Sequence, residues 1–196
     1  MADYLSEILP KEEKASKKQY YDEASRDLRA REGFSPTTTI PTPGDRPTLG
    51  HGHTGARARP GATITRPQAQ AQLLTDMRER IPDIKRSIPR FEEFDLPTQK
   101  AITSAWFRGA LSGSPNTLDL INRGLFQRAG DAYVLNGDGT GPHAEMARAV
   151  RDGRRGIIGR MNSEAESFRN ARYRVPVDEP AGPKFGTGQL VHPTNR

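Results

Sequence analysis

Glu32-Gly33-Phe34 is followed, across a loop rich in proline and threonine, by Thr48-Leu49-Gly50-His51-Gly52-His53-Thr54-Gly55. An acid at a helix end, facing a glycine-dense turn that carries threonine and histidine, suits the cleavage of a glycosidic bond. A protonated glutamate there donates to the departing oxygen. The negative end of the helix dipole favours that protonated form. The competing role for Glu32 is a helix-end ion pair with Arg29 or Arg31. A second group is also required: inverting hydrolysis needs a base to activate water, retaining hydrolysis a nucleophile. Asp45, in a Gly44-Asp45 turn, is the acid nearest the Thr48 segment, and it is either that group or only a turn residue. The Thr48 hydroxyl can position water or substrate, or it is a plain strand threonine.

Positioning these groups falls to a mainly helical chain. Residues 11–32 read as one charge-rich helix with a narrow apolar stripe from Tyr20 or Tyr21 through Ala24 to Leu28. Gly33 stands where a helix-terminating glycine belongs, with Arg29 and Arg31 suited to the negative dipole end. Residues 35–64 are rich in β-branched residues, prolines and turn formers, which predicts short strands around a turn. Thr65-Arg66-Pro67-Gln68 is a capping box that opens a helix with Ala69, Leu73, Leu74 and Met77 on its apolar face. Further helices are predicted from Pro97 to Ala110, from Ser114-Pro115-Asn116 to Ile121, over 143–152 and over about 156–170. Asn136 to Pro142 reads as a loop too poor in oxygen ligands for calcium. From Val175 onward, prolines and glycines give an extended tail without a core of its own. The fold class is α+β, mainly helical: a small β-containing lobe, a helical lobe, and a site in the cleft between them.

Composition narrows the partners. Of 196 residues 33% are hydrophobic, mean hydropathy is −0.78 and the net charge is +6, so a modest core with polar extensions is expected. The positive balance favours a polyanion such as nucleic acid, a membrane surface or a bacterial wall. The basic residues are not gathered into one stripe or interleaved with aromatics, so no nucleic-acid module is indicated. Without cysteine, disulfides and thiolate metal sites are excluded. His51 and His53 form an H-x-H pair with no further ligands, a weak signal for zinc, and no cofactor is expected. The first residues lack a signal peptide, and no apolar run approaches the roughly 20 residues of a membrane span.

Four blocks, in order, resemble the phage-type lysozymes of glycoside hydrolase family 24. Glu32-Gly33-Phe34 is similar to that family's E-G-hydrophobic at the end of its first helix. Pro47 to Gly55 is close to its T-[IL]-G-x-G-H-T signature. Arg59-Pro60-Gly61-Ala62-Thr63-Ile64-Thr65-Arg66-Pro67-Gln68-Ala69 resembles K-P-G-x-x-I-T-x-x-Q-A, where the chain leaves the β lobe. Gly156 to Phe168 resembles the closing helix G-[LI]-x-x-R-R-x-x-E-x-x-hydrophobic. Between them, Ala105 to Gly109 and Asn116 to Asn122 stand where the family has A-F-N-x-G and S-T-L…N.

The resemblance covers about residues 31–170 and implies a peptidoglycan-cleaving muramidase with Glu32 as general acid. It matches Thr48 to a threonine that positions water or substrate. It matches His53 to a histidine that bonds a neighbouring acid, and with Gly52 it is expected near the substrate. His51 fills the variable position and is expected to be exposed. The family's second acid lies six residues before the signature threonine, and here that position is Thr42, flanked by Pro41 and Pro43. If Asp45 does not replace it, a lytic transglycosylase using Glu32 alone becomes the natural alternative, because the sugar's own 6-hydroxyl then attacks. A catalytically degenerate structural protein of the same fold is the other. The charged helical extension over 1–30 and the tail over 171–196 look like docking segments. They point to a phage virion component in contact with other virion proteins. A free endolysin, held in the host cytoplasm until a holin releases it, is the other setting.

Overall fold

The first helix, α1 (Lys11–Glu32), has the bounds its charge pattern and Gly33 predict. The computed structural model describes residues 11–40, 46–135 and 143–174. Tyr20, Ala24 and Leu28 on one side of α1 are buried in the main core, while its charged side faces solvent. The helix stops because Gly33 turns into the left-handed region at φ +69°, its N–H closing the last turn on the Arg29 carbonyl at 3.1 Å.

β1 (Ser35–Thr39) and β2 (Thr48–Gly50) then pair antiparallel, with Thr39 opposite Thr48 and Ser35 opposite Gly50. Backbone bonds from Thr38 to Ala62 and from Ile64 to Pro36 add the following segment to the outer side of β1. Thr42 and Asp45 fall outside the described residues.

The expected capping box opens α2 (Arg66–Ser87): Thr65 accepts from the Gln68 amide while the Gln68 side chain takes the Thr65 N–H. Four of the remaining helices follow the expected places: α3 (Leu96–Phe107), α4 (Pro115–Asn122), α6 (Ala144–Arg151) and α7 (Arg155–Arg169). The one between them, α5 (Phe126–Val134), was not foreseen; it buries Ala129 and Tyr133 against α7. A single core runs through the helices, with Met77, Ile84, Ile102, Leu111, Tyr133, Met161 and Phe168 fully enclosed.

Residues 171–174, assigned from sequence to the tail, lie against the 3-10 turn Phe91–Glu93 and its successor. Arg172 and Arg174 exchange backbone hydrogen bonds with Asp95 and Glu93, and Tyr173 stacks on Phe94 with ring centres 4.9 Å apart. The loop from Asn136 to Pro142 and the chain from Val175 lie outside the described residues. No helix among the described residues is long and apolar enough to cross a membrane.

Candidate active site

Glu32 is the last residue of α1, and two further elements meet its carboxylate. Arg160 of α7 donates from Nη1 to Oε1 at 2.7 Å. Gly52, in the turn after β2, lies against Oε2, so near that a methyl group on its α-carbon would sit 3.4 Å from that oxygen. The turn's φ of +80° at Gly52 favours glycine there. The side chain of Glu32 keeps 27% of its surface exposed, so the acid is held yet reachable. Its partner is not Arg29 or Arg31, the pairs its neighbours suggested. Arg29 instead bonds the Ser25 carbonyl.

The turn itself is drawn tight. Leu49 and His53 exchange both backbone hydrogen bonds at 2.9 and 3.0 Å, leaving Gly50-His51-Gly52 as the loop tip. The His53 ring donates from Nδ1 to Asp76 of α2, 3.0 Å from either oxygen, and Gln72 donates to the same carboxylate at 2.8 Å. His53 therefore bonds an acid, as expected, and anchors the turn to α2. His51 is not exposed, contrary to expectation. It is only 5% accessible, with Nδ1 donating to the Gly33 carbonyl and its ring against Phe34. The glycines on either side of it let the tip fold inward, which puts the imidazole beneath the end of α1. The two histidines thus point to different partners, and no group of three or more metal-ligating side chains occurs among the described residues.

Thr48 is half-buried on β2, its hydroxyl 3.4 Å from the Thr39 carbonyl and 3.5 Å from the Thr39 hydroxyl. Of the residues singled out from sequence, Glu32 and Gly52 are brought together, His53 belongs to the same turn, and Thr48 starts the strand that leads into it. Thr42 and Asp45 lie outside the described residues.

Behind Arg160 lies a charged cluster that sequence reasoning missed. Arg160 also bonds Glu164 through Nε at 3.2 Å, and Ser104 through Nε at 3.1 Å and Nη2 at 3.2 Å. Glu164 is wholly buried and accepts from Ser104, Tyr133 and Arg108, each at 2.6 Å. Arg108 pairs in turn with Glu145 of α6. A buried carboxylate with this many donors is compensated for lost hydration. Burial, with the charge of Glu164 adding to it, pushes the Tyr133 phenol far above its ordinary value. The signal for this cluster was present in the closing-helix block, which contains Arg160 and Glu164 four residues apart. That spacing puts both on one helix face but does not say that the face meets Glu32.

The arrangement offers an acid at a helix end, one cation on one oxygen, and a glycine floor under the other. The sequence profile of the phage lysozyme family matches residues 29–135. No protein of curated function matches the chain. Among solved structures, the muramidase domain of SpmX from Asticaccaulis excentricus superposes with a TM-score of 0.54 at 23% identity, over 74% of this chain and 94% of that one. At that identity the likeness speaks to the fold, which is lysozyme-like. With more than half of its length matched, from just before Glu32 through the whole turn to α5, the chain belongs to the phage lysozyme family.

Proposed function

We propose that the protein is a muramidase, cleaving the bond between N-acetylmuramic acid and N-acetylglucosamine in the peptidoglycan backbone with Glu32 as general acid. The observation that carries this is the carboxylate itself. It stands at the negative end of α1, partly exposed, with Oε1 on Arg160 and Oε2 over Gly52. In that pose Glu32 can pass a proton to the glycosidic oxygen as the leaving sugar departs. Arg160 keeps the carboxyl from rotating away, and Gly52 lies against its other oxygen. Thr48, with His53 fixed on Asp76, would hold water or substrate along the same wall, and Asp45 would be the second carboxylate. The net charge of +6 suits a wall rich in carboxylates and phosphates.

A second reading rests on Thr42, which occupies the position where an acid would be expected. A lytic transglycosylase needs only Glu32, because the 6-hydroxyl of the muramic acid attacks and no water is activated. Muropeptide analysis separates the two. Purified peptidoglycan is incubated with wild type, Glu32→Gln, Asp45→Asn and Thr42→Asp, and the products are weighed by mass spectrometry. Reducing ends support the hydrolase and anhydro ends the transglycosylase. Products undiminished in Glu32→Gln refute the assignment, and no products from any variant leave a glycan-binding structural protein.

The setting we favour is a phage particle, in which the protein opens the wall locally as the genome enters. The charged, solvent-facing side of the N-terminal segment and the tail over 175–196 would dock it onto other virion proteins. Removing residues 1–10 and 175–196, which leaves α1 and its core contacts whole, should abolish incorporation into particles. Incorporation of the truncated chain at normal levels would favour a free endolysin.

A further inference from the structure

We propose that His51 is a positioning residue for Glu32, acting through the backbone that leaves α1; the inference rests on the muramidase reading above. A carbonyl can only accept, so the Nδ1 that meets the Gly33 oxygen carries the ring proton. Gly33 follows Glu32 directly, and with no side chain and φ +69° it has little else to fix its carbonyl. The next residue, Phe34, lies against the same imidazole with ring centres 5.6 Å apart and has the Arg66 guanidinium 4.5 Å from its own centre. Both residues beyond the acid are thereby held from below by one side chain.

The other imidazole nitrogen strengthens the case. Nε2 of His51 is buried and has no hydrogen-bond partner among the described residues. A buried polar atom left in that state lowers stability, and a phenyl ring would fill the space without it. What a phenyl ring lacks is the N–H to Gly33. His51 is also the middle of the tip whose next residue, Gly52, lies against Glu32 Oε2. One tripeptide therefore sets the acid twice, through the chain that follows it and through the floor beneath its oxygen. Arg160 restrains Oε1 from the opposite lobe. Removing the His51 bond frees the end of α1 to swing while leaving the substrate wall in place.

Two substitutions test this. His51→Phe keeps a buried ring but no donor, and His51→Asn places an amide nitrogen at the same distance from the backbone as Nδ1. Turnover and KM are measured on purified peptidoglycan, with the amide resonances of Gly33 and Phe34 followed in each variant. The expected result for His51→Phe is a fall in kcat of about tenfold or more with little change in KM, as for an acid displaced by a fraction of an ångström. His51→Asn should recover most of that loss and restore the Gly33 and Phe34 resonances. Unchanged kcat in His51→Phe, a loss confined to KM, or an asparagine variant no better than phenylalanine overturns the proposal. If the phenylalanine variant does not fold, His51→Leu takes its place under the same criteria. A wild type with no activity on peptidoglycan overturns the muramidase reading and this role with it, whereas an active wild type matched by His51→Phe overturns this role alone.

Discussion

Two glutamates share Arg160, and they live in opposite surroundings. Glu32 keeps 27% of its side chain exposed and relies on one arginine and a glycine turn. Glu164 keeps none and is wrapped by Ser104, Tyr133, Arg108 and Arg160. The same difference runs through the regions behind them. Between Gly33 and Thr65 the only buried apolar side chains among the described residues are Leu49 and Ala58, so that wall is shaped by backbone bonds and histidine contacts. The helical side is a continuous core into which a charged cluster has been set. Reactive acid and structural acid are thus distinguished by what surrounds the carboxylate, since both touch the same guanidinium. Loss of the first should cost activity, and loss of the second should cost stability.

The sharpest way to break that distinction is Glu32→Gln. Activity should fall by about 10²- to 10⁴-fold. The urea midpoint should hardly move, because a partly exposed ion pair contributes only about 0–1 kcal/mol. A large loss of stability would place Glu32 with the structural acids. Glu164→Leu should do the reverse: Arg108 and Arg160 lose a buried counter-charge, at about 3–5 kcal/mol by chemical denaturation. An unchanged midpoint would show that the cluster does not hold the lobe together.

Alkaline titration probes the same core more gently. Burial pushes the Tyr20 phenol up, partly offset by its bond to Thr103, and Tyr133 is raised still further. Groups whose folded pKa is raised contribute fully below the unfolded value near 10 and lose that contribution as pH rises. Unfolding free energy should therefore decline above about pH 10, by up to about 1.4 kcal/mol per pH unit for each tyrosine. Tyr20→Phe should flatten the slope by about one tyrosine's share. The smallest effect belongs to the glycine wall. Gly52→Ala places a side chain at φ +80° in contact with Glu32, and that backbone strain should cost about 1–2 kcal/mol of stability together with some activity. A variant that loses neither would mean the turn can shift away from the acid.

What could be read from the chain depended on range. Local rules carried far: Gly33 ends α1, Thr65 and Gln68 cap α2, and the threonine-rich stretch forms the sheet. α5 escaped because Phe126–Val134 has neither a side-chain cap nor a long apolar repeat, and its burial comes from packing on α7. His51 was misread because a polar residue between two glycines suggests an exposed tip. The glycines instead let the tip fold in, where the bare Gly33 carbonyl offers an acceptor. Arg160 was visible as one letter of a helix pattern, but its pairing with Glu32 is not a property of spacing along any element. Likewise Asp76 reads as one more charge on α2 until His53 is placed beside it.

The bond from Arg160 to Glu32 joins positions 128 residues apart. During synthesis the acid leaves the ribosome well before the arginine that steadies it, which belongs to α7, the last helix among the described residues. A nascent chain that stops before α7 carries Glu32 and its glycine turn but lacks both Arg160 and Glu164. Completion of the site is therefore delayed within each growing chain until the 128 residues from the acid to its arginine have been made.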